Sequence, residues 1–398
     1  MNLKIFTDNI EGEALNQVYT LAKLDAFKDA KIRIMPDVHA GAGCVIGFTA
    51  DLGNKIIPNI VGVDIGCGML TIELGKIDID FQKLDHVIHE RIPAGINVHS
   101  TSNGNIYDKY IDKLYCKNAL KNDIHIASSM GTLGGGNHFI EIDQDEEGNK
   151  YLVIHTGSRN LGKQVAEIYQ HLAIDTLADK VNRKEQINIL IAKYKSQGRQ
   201  TEISDALAKF NEEFKLRHPN IPNELCYLEN ENRKNYLHDM EICQIFAQEN
   251  RLTIAKTICR YMNWTMVNNF ETIHNYISFK DNIVRKGAIS AYKGEKVLIP
   301  MNMKDGCIIG IGKGNDDWNQ SAPHGAGRLM SRAAAKENIQ LEDFTKIMEG
   351  IYSTTVNQST IDESPFAYKP MQEIINNIQD TVEIIKIIKP IYNFKAGE

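Results

Sequence analysis

Several features of secreted and membrane-bound proteins are missing from this sequence of 398 residues. The seven cysteines are odd in number and none belongs to a Cys-x-x-Cys pair, so neither a disulfide framework nor a zinc ribbon is predicted. No apolar run approaches the ~18 residues of a membrane span, and the amino-terminal residues lack the apolar stretch of a signal peptide. We therefore expect a cytoplasmic protein with no membrane partner.

Excess positive charge is also missing, because 45 Lys and Arg residues stand against 51 Asp and Glu residues, for a net charge of −6. This balance disfavours a globally basic nucleic-acid-binding protein but not a local basic cleft. The hydrophobic content of 42% is enough for a large core, and we find no internal repeat or low-complexity linker.

Glycine nearly vanishes between about residues 163 and 262, where charges alternate with Leu, Ile and Ala at a helical period. On both sides of this helical segment, short apolar runs alternate with glycine, which is typical of buried strands joined by tight turns. Residues 80–91 also have a helical pattern. Because site-like stretches lie on both sides of the segment, residues 1–398 are predicted to form a single, interleaved domain.

The stretch "GVDIGCGML" places Asp64 and Cys67 among three glycines in an apolar run. A buried carboxylate is costly unless it is paired or bound to a metal, and glycine within such a run often marks close approach of the backbone to a ligand. The stretch therefore predicts a functional site.

Five of the twelve histidines lie beside glycine, amide or acidic residues at the ends of predicted elements: His39, His138, His155, His274 and His324. A lone histidine at a strand end is more often an ordinary core residue, but five shift those odds. With Asp64 and Cys67 they form a mixed oxygen, sulfur and nitrogen ligand set that suits zinc or manganese. Ligands from separate strands favour a catalytic site, and two nearby ions would suit phosphoryl chemistry.

The stretch "SAPHGAGR" is predicted to enter a helix directly, with Arg328 and Arg332 on one helix face. A helix N-terminus binds anions through free N–H groups, and His324 at that point could attack phosphorus and carry a nucleotidyl group. A glycine-rich helix cap with a packing histidine is an equally good interpretation of the same residues.

Eight ordered stretches resemble the RNA-splicing ligase RtcB family, from about Ile34 to Lys395: "MPDVHAGAG", "GVDIGCGM", "GGGNHFIEI", "HTGSRNLG", "HNY", "RKGA", "HGAGR" and "DESPFAYKP". The resemblance implies an α+β fold, with central β-sheets flanked by helices and the helical segment of about 163–262 inserted between core strands. It also implies a ligase that joins RNA ends bearing a 2′,3′-cyclic phosphate or 3′-phosphate to 5′-hydroxyl ends, using GTP and two Mn²⁺ ions through a histidine–GMP intermediate.

By this resemblance, Asp64, Cys67 and His138 would hold one manganese ion. Cys67, His155 and His274 would hold the second, so that the Cys67 thiolate bridges the two. His324 would be the catalytic residue that accepts GMP. The motifs imply a larger set of nucleotide-binding positions: Asn137, His138, Phe139, Glu141, His274, Asn275, Asn302, Met303, Cys307, His324, Gly325, Ala326, Gly327 and Lys395. Asp37 and His39 match a motif at the edge of the site without an assigned role.

One segment departs from the family pattern, since "PMNMKDGC" stands where a Pro-Gly-Ser-Met run and a later serine are usual. Asn302 and Cys307 thus replace hydroxyl groups expected to touch the nucleotide. The departure raises a question about nucleotide affinity and choice, and suggests a divergent branch that serves RNA repair rather than tRNA splicing.

RNA phosphates would be contacted by arginine and lysine side chains, with Arg159, Arg328 and Arg332 as the main candidates. Arg285 and Lys286 are further candidates, with a surface role nearly as well supported. Two other functions stay open: a dinuclear metal phosphoesterase that uses water as nucleophile, and a non-catalytic protein that binds RNA ends.

Overall fold

The computed structural model describes residues 2–101, 105–177, 180–217 and 221–396. Within these ranges the chain forms two large sheets, a short two-stranded sheet and several helices. Most strand pairs are antiparallel and the helices are concentrated in separate stretches of the chain, which is the α+β class expected from the sequence. None of the helices formed by these residues combines the length and apolar character needed to cross a bilayer.

The strands in chain order are β1 (Asn2–Ile5), β2 (Lys31–His39), β3 (Ile46–Asp51), β4 (Gly68–Gly75), β5 (Phe139–Gln144), β6 (Lys150–Thr156), β7 (Asn268–Ile273), β8 (Asn275–Ser278), β9 (Ile283–Lys286), β10 (Ala288–Ser290), β11 (Lys296–Asn302), β12 (Gly306–Gly312), β13 (Ser321–Pro323) and β14 (Val382–Lys395). One sheet has the order β1-β2-β3-β9-β8, with β1 and β2 parallel, and β10 pairs with β13.

The larger sheet has the order β11-β12-β14-β5-β6-β4-β7, and all its pairings are antiparallel. Its two edge strands approach each other, because the backbone N–H of Leu298 in β11 donates to Oγ1 of Thr272 in β7 at 3.1 Å. The sheet therefore curls toward a barrel. Its inner face buries Met69, Phe139 and Val153 among other apolar side chains.

The helices are α1 (Gly12–Ala22), α2 (Pro58–Val61), α3 (Phe81–Arg91), α4 (Asn105–Lys109), α5 (Asp123–Ser128), α6 (Arg159–Leu177), α7 (Lys180–Ser196), α8 (Ile203–Arg217), α9 (Asn230–Met262), α10 (Arg332–Asn338), α11 (Leu341–Ile347) and α12 (Met371–Asn377). The helix expected over 80–91 corresponds to α3.

The glycine-poor segment contains α6, α7, α8 and α9 within the described residues. Its first helix begins at Arg159 rather than near residue 163, and Arg159 itself has a φ of 56°. In sequence these helices separate β6 from β7, and both of those strands pair with β4. The long helix α9 packs on both sides: Phe246 contributes to the core beside the first sheet, and Ile254 and Ile258 contribute to the core against the second.

The helix predicted directly after His324 begins later in the structure. Ser331 caps α10, so the first helical residue is Arg332, and Arg328 lies in the preceding loop. The predicted anion site at a helix N-terminus beside His324 is therefore wrong. Arg328 and Arg332 also do not share a helix face, because Leu329, Met330 and Ser331 between them are not helical.

Candidate active site

The turn from Gly62 to Cys67 delivers two candidate ligands to the start of β4. Gly66 has a φ of +73°, and a Cβ atom there would lie 3.0 Å from Cα of Gln244 in α9. A Cβ at Gly68 would lie 2.6 Å from the carbonyl oxygen of Thr272. The sequence interpretation that these glycines admit a ligand is thus corrected: they let the turn pack against α9 and β7.

Four element ends meet at this turn and bring the predicted metal ligands together. The Sγ atom of Cys67 lies 3.2 Å from Nε2 of His155 and 3.5 Å from Nε2 of His138. The Oδ2 atom of Asp64 is 2.9 Å from Nε2 of His138, and the Nε2 atoms of His155 and His274 are 3.4 Å apart. One sulfur, one carboxylate and three imidazoles therefore converge.

Backbone carbonyl groups orient two of these imidazoles. Nδ1 of His138 donates to the carbonyl of Leu133 at 2.9 Å, and Nδ1 of His155 donates to that of Asn137 at 3.1 Å. A carbonyl only accepts, so the proton is on Nδ1 and the Nε2 lone pair faces the cluster. Metal-binding histidines are oriented in the same way, and the residues present therefore fit a divalent metal ion.

Burial favours the uncharged, metal-binding form of two of the three imidazoles, those of His155 and His274. It lowers the pKa of His155 and of His274 well below the usual value, and it raises the pKa of the Cys67 thiol. Burial also acts to raise the pKa of Asp64, but the contacts with His138, the hydrogen bond with Cys67 and the charge of Arg159 together outweigh it, and the pKa falls to about 2. A bound cation would remove the proton of the thiol.

His324 lies beside this cluster, with its ring centroid 4.9 Å from that of His274. Its Nδ1 atom is 2.6 Å from Oδ2 of Asp37, and the same carboxylate oxygen accepts from the backbone N–H of His324 and of Gly325. Asp37 is fully buried. With Nδ1 bonded to a carboxylate, Nε2 is the ring nitrogen left with a free lone pair.

A cavity of about 270 Å³ opens beside His324 and His155. Most of the predicted nucleotide-binding positions line it: Asn137, Phe139, Glu141, Asn302, Met303, His324, Gly325, Ala326, Gly327 and Lys395. Three other predicted positions, His138, His274 and Asn275, are not among the described residues that line this cavity. Instead, Asn275 joins segments of the site, because its Oδ1 atom accepts from the N–H of Gly287 at 3.0 Å.

Cys307 lies behind the cavity wall, contrary to the expectation that it touches the nucleotide. Its side chain is buried, with Sγ 4.0 Å from Oε1 of Glu141. The ligand atoms of Cys307, Glu141 and Asp143 all lie within 4.8 Å of one another. Burial raises the pKa of Asp143, and the nearby Glu141 carboxylate raises it further. Position 307 can therefore influence a nucleotide only through Glu141.

Three cations and Glu363 form an ion-pair network at one end of the cavity. Lys395 donates to Oε2 of Glu363, and Arg332 and Arg328 lie 2.8 Å and 3.3 Å from its Oε1. Arg332 also pairs with Asp362 at 2.6 Å. Two of the three arginines predicted to bind RNA phosphate, Arg328 and Arg332, are thus paired with buried carboxylates, although both still line the cavity beside His324.

We expect Glu363→Gln to destabilise the protein by about 3 kcal/mol at pH 7. Burial alone would raise the Glu363 pKa, but Lys395 and Arg332 lower it from 4.5 to about 2. A depressed carboxylate pKa contributes stability above pH ~4.5, and that contribution is lost as the pH falls toward ~2. Urea unfolding at pH 7 and pH 3.5 measures the difference, with exposed Glu349→Gln as the control. An equal difference at both pH values would contradict this assignment.

Arg159 lies on the opposite side of the metal-ligand cluster. It lines a second cavity with Asp64, Lys163 and His125, and this cavity shares no described lining residue with the one beside His324. Its Nε donates to Oγ1 of Thr132 at 3.2 Å, which fixes the side chain beside Asp64.

Arg285 and Lys286 are not available to bind RNA, which corrects the sequence interpretation. Both are buried, since they lie in β9, an interior strand of the first sheet. Arg285 donates to Oγ of Ser321 at 2.9 Å, and Lys286 donates to the carbonyl of Asn59 at 2.9 Å. Both charged groups therefore form hydrogen bonds within the protein.

Sequence reasoning gave no role to Asp37, Glu363 or Asn393. Asp37 holds His324, Glu363 holds Lys395, and Nδ2 of Asn393 donates to Oε2 of Glu141. The stretches "MPDVHAGAG" and "DESPFAYKP" had signalled the first two as motif positions. Asn393 carried no signal, because only the pairing of β14 with β5 brings it opposite Glu141.

A family model and several known proteins match this chain over nearly its whole length. The family model described as tRNA-splicing ligase RtcB matches residues 17–396. An RNA-splicing ligase RtcB of Escherichia coli K12 is 28% identical, with 97% of this chain and 95% of the relative aligned. RNA-splicing ligase RtcB1 of another E. coli strain is 29% identical over the same shares, and a tRNA-splicing ligase RtcB of Archaeoglobus fulgidus is 24% identical over 92% of this chain and 87% of its own length. The chain belongs to the RtcB family of RNA-splicing ligases.

Proposed function

We propose that this protein is a GTP- and manganese-dependent RNA ligase of the cytoplasm. It would join RNA ends with a 2′,3′-cyclic phosphate or 3′-phosphate to 5′-hydroxyl ends, through a histidine–GMP intermediate on His324. The observation that carries the proposal is the position of His324, held by Asp37 between the metal-ligand cluster and a nucleotide-sized cavity.

The side chains of Asp64, Cys67, His138, His155 and His274 would hold two Mn²⁺ ions. The set combines hard and soft donors, which suits a borderline divalent ion. When bound, such ions neutralise charge that develops on phosphate oxygens.

His324 would supply the nucleophile: its Nε2 atom would attack the α-phosphorus of GTP, and pyrophosphate would leave. The Asp37 carboxylate fixes the ring through Nδ1 and stabilises the cation that forms when Nε2 acquires a phosphorus substituent. Glu141 and Asn137 would contact guanine at the inner end of the cavity, and Lys395 would contact the nucleotide. The RNA 3′-phosphate would then take GMP from His324, and the 5′-hydroxyl would displace GMP to complete the bond.

RNA would reach the cluster from the side of the second cavity. Arg159 and Lys163 line it next to Asp64, and Arg159 is the cation placed closest to the ligand set there. Arg328 and Arg332 are better suited to the nucleotide side, since both line the larger cavity. Repair of broken RNA and tRNA splicing would use the same chemistry.

Incubation with α-labelled GTP and Mn²⁺, followed by denaturing electrophoresis, tests the proposal. A ligase carries label covalently on the chain and transfers it when broken RNA ends are added. A dinuclear phosphoesterase would release phosphate without becoming labelled, and a protein that only binds RNA ends would do neither. Absence of labelling with Mn²⁺ present would reject the proposed function.

Asp37→Asn should slow covalent labelling by about 10²–10⁴-fold. The amide can present its N–H to Nδ1, which would leave the proton on the reacting Nε2 and remove the stabilising charge. The rate of labelling in single-turnover experiments measures the effect, with exposed Asp29→Asn as the control. A rate within threefold of the native rate would show that Asp37 does not orient His324.

Cys307→Ser should tighten GTP binding roughly two- to tenfold. A restored hydroxyl can donate to Glu141, and such a hydrogen bond contributes about 0.5–1.5 kcal/mol. Calorimetric titration with GTP measures the change, and Cys259→Ser is the control in another part of the core. Unchanged affinity would mean that Glu141 is already held well enough by Asn393.

Asn302→Ser should increase the affinity for GTP less than Cys307→Ser does. The Oδ1 atom of Asn302 accepts from the N–H groups of Lys304 and Asp305, both at 2.9 Å, and Nδ2 donates to the Asp305 carboxylate at 2.8 Å. A serine could not make all of these hydrogen bonds, and their loss would offset any new contact with the nucleotide.

A further inference from the structure

Two adjacent residues of α9, Asn250 and Arg251, have no exposed surface. A buried guanidinium is costly unless its N–H groups are bonded, so their partners show what the protein gains from them. We refer to them as the Asn250–Arg251 pair.

Arg251 joins three separate segments. Its Nη1 atom donates to the carbonyl of Gly66 and to that of Thr156, both at 2.8 Å. Its Nε atom donates to Oε1 of Glu271 at 3.0 Å, and Gln248 of the same helix donates to the other oxygen of that carboxylate at 2.8 Å. The guanidinium therefore fixes the separation of these segments.

Asn250 joins a fourth segment to one of these. Its Oδ1 atom accepts from the backbone N–H of Gly131 at 2.6 Å and of Thr132 at 3.1 Å. Its Nδ2 atom donates to the carbonyl of Thr132 at 3.1 Å and to that of Gly157 at 3.2 Å. The side-chain amide uses both its acceptor and its donors on backbone groups.

Three of these segments carry the candidate ligands Asp64, Cys67, His155 and His274, and the fourth orients the remaining one, His138. Gly66 directly precedes Cys67, Thr156 directly follows His155, and Glu271 lies three residues before His274. The fourth segment, Gly131 to Leu133, includes the carbonyl that orients the His138 ring.

We propose that the Asn250–Arg251 pair organises the metal centre before any metal binds. The two side chains are positioning residues that set the spacing of the ligand turns from one rigid helix, without contacting the ions. This inference rests on the proposed metal centre for its function, but the arrangement it describes exists in the metal-free chain.

Co²⁺ alone is a suitable probe, because a cobalt–thiolate bond gives a charge-transfer absorption that reports on Cys67. Arg251→Lys keeps the charge but cannot span three acceptors, and Asn250→Asp keeps the shape but loses the two donations. We expect each variant to bind Co²⁺ roughly 10–100-fold more weakly, with a reduced charge-transfer band, while its circular dichroism stays native. Exposed Arg260→Lys on the same helix is the control and should match the native protein. Native affinity and band intensity in both variants would overturn the proposal.

If the variants do not fold, hydrogen exchange on the native, metal-free protein tests whether the ligand turns are ordered without metal. The N–H of Gly66 bonds to the carbonyl of Asn275 at 2.7 Å, and the N–H of His274 bonds to that of Cys67 at 2.9 Å. We expect both amides to be as protected as those in the middle of α9. Rapid exchange that slows only after Co²⁺ is added would overturn the proposal. Failure of the native protein to bind Co²⁺ would count against the proposed function instead, and exchange would still decide on the positioning role.

Discussion

His324→Ala is expected to abolish covalent labelling by GTP and all RNA joining. The substitution removes the one side chain, among the described residues that line the cavity, that combines a free imidazole lone pair with a buried carboxylate partner. Since His324 is not among the candidate metal ligands, Mn²⁺ binding should remain within about threefold of native, as expected for a site whose ligands and supporting bonds are unchanged. Labelled GTP and a metal titration, performed on the same preparation, measure both properties.

A matched control for this variant is His171→Ala, on the exposed face of α6, which should leave both properties unchanged. Persistent labelling of His324→Ala would show that another residue accepts GMP. Unchanged phosphate release without labelling in either protein would support the phosphoesterase alternative.

Cys67→Ala should abolish metal binding, which His324→Ala leaves intact. Covalent labelling should then be lost because the metal is missing. The Cys67 sulfur lies among three candidate ligands, within 3.5 Å of two imidazole nitrogens. Removing a shared ligand should weaken metal binding by more than the roughly 10–100-fold that the loss of a supporting hydrogen bond costs. Titration with Mn²⁺ or Co²⁺ measures the loss.

Cys259→Ala is the appropriate control, because this cysteine is also buried but lies in the apolar core of α9. It should bind metal normally. If Cys67→Ala retained native metal affinity, the thiolate would not be a ligand, and the three histidines with Asp64 would have to hold a single ion.

The glycine-flanked strands, the long helical stretch and the identity of the clustered residues could be predicted from the sequence, because each leaves a local trace, whereas the strand β14 was not predicted. Glycine-rich turns mark the ends of β4, β5 and β6, and glycine scarcity marks the helices from Arg159 to Met262. Motif order then pointed to Asp64, Cys67 and the histidines, which the fold brings into contact.

The errors concern properties that depend on the whole fold. Nothing local distinguishes the buried Arg285 from an arginine on the surface, since both fit a strand. The loop after His324 was taken for a helix start because Arg328, Leu329 and Met330 have high helix propensity and lead into an alanine run, whereas Ser331 sets the actual start. Asn393 and the Asn250–Arg251 pair act across long sequence separations that no short motif encodes.

The central place of β14 also has a consequence for synthesis on the ribosome. This strand, Val382–Lys395, separates β12 from β5, and it carries the lysine that pairs with Glu363. Until it emerges, both neighbouring strands have an unpaired edge, although β5 was made more than two hundred residues earlier. Nascent chains should therefore depend on chaperones that cover these edges, and the nucleotide cavity should be among the last parts of the molecule to form.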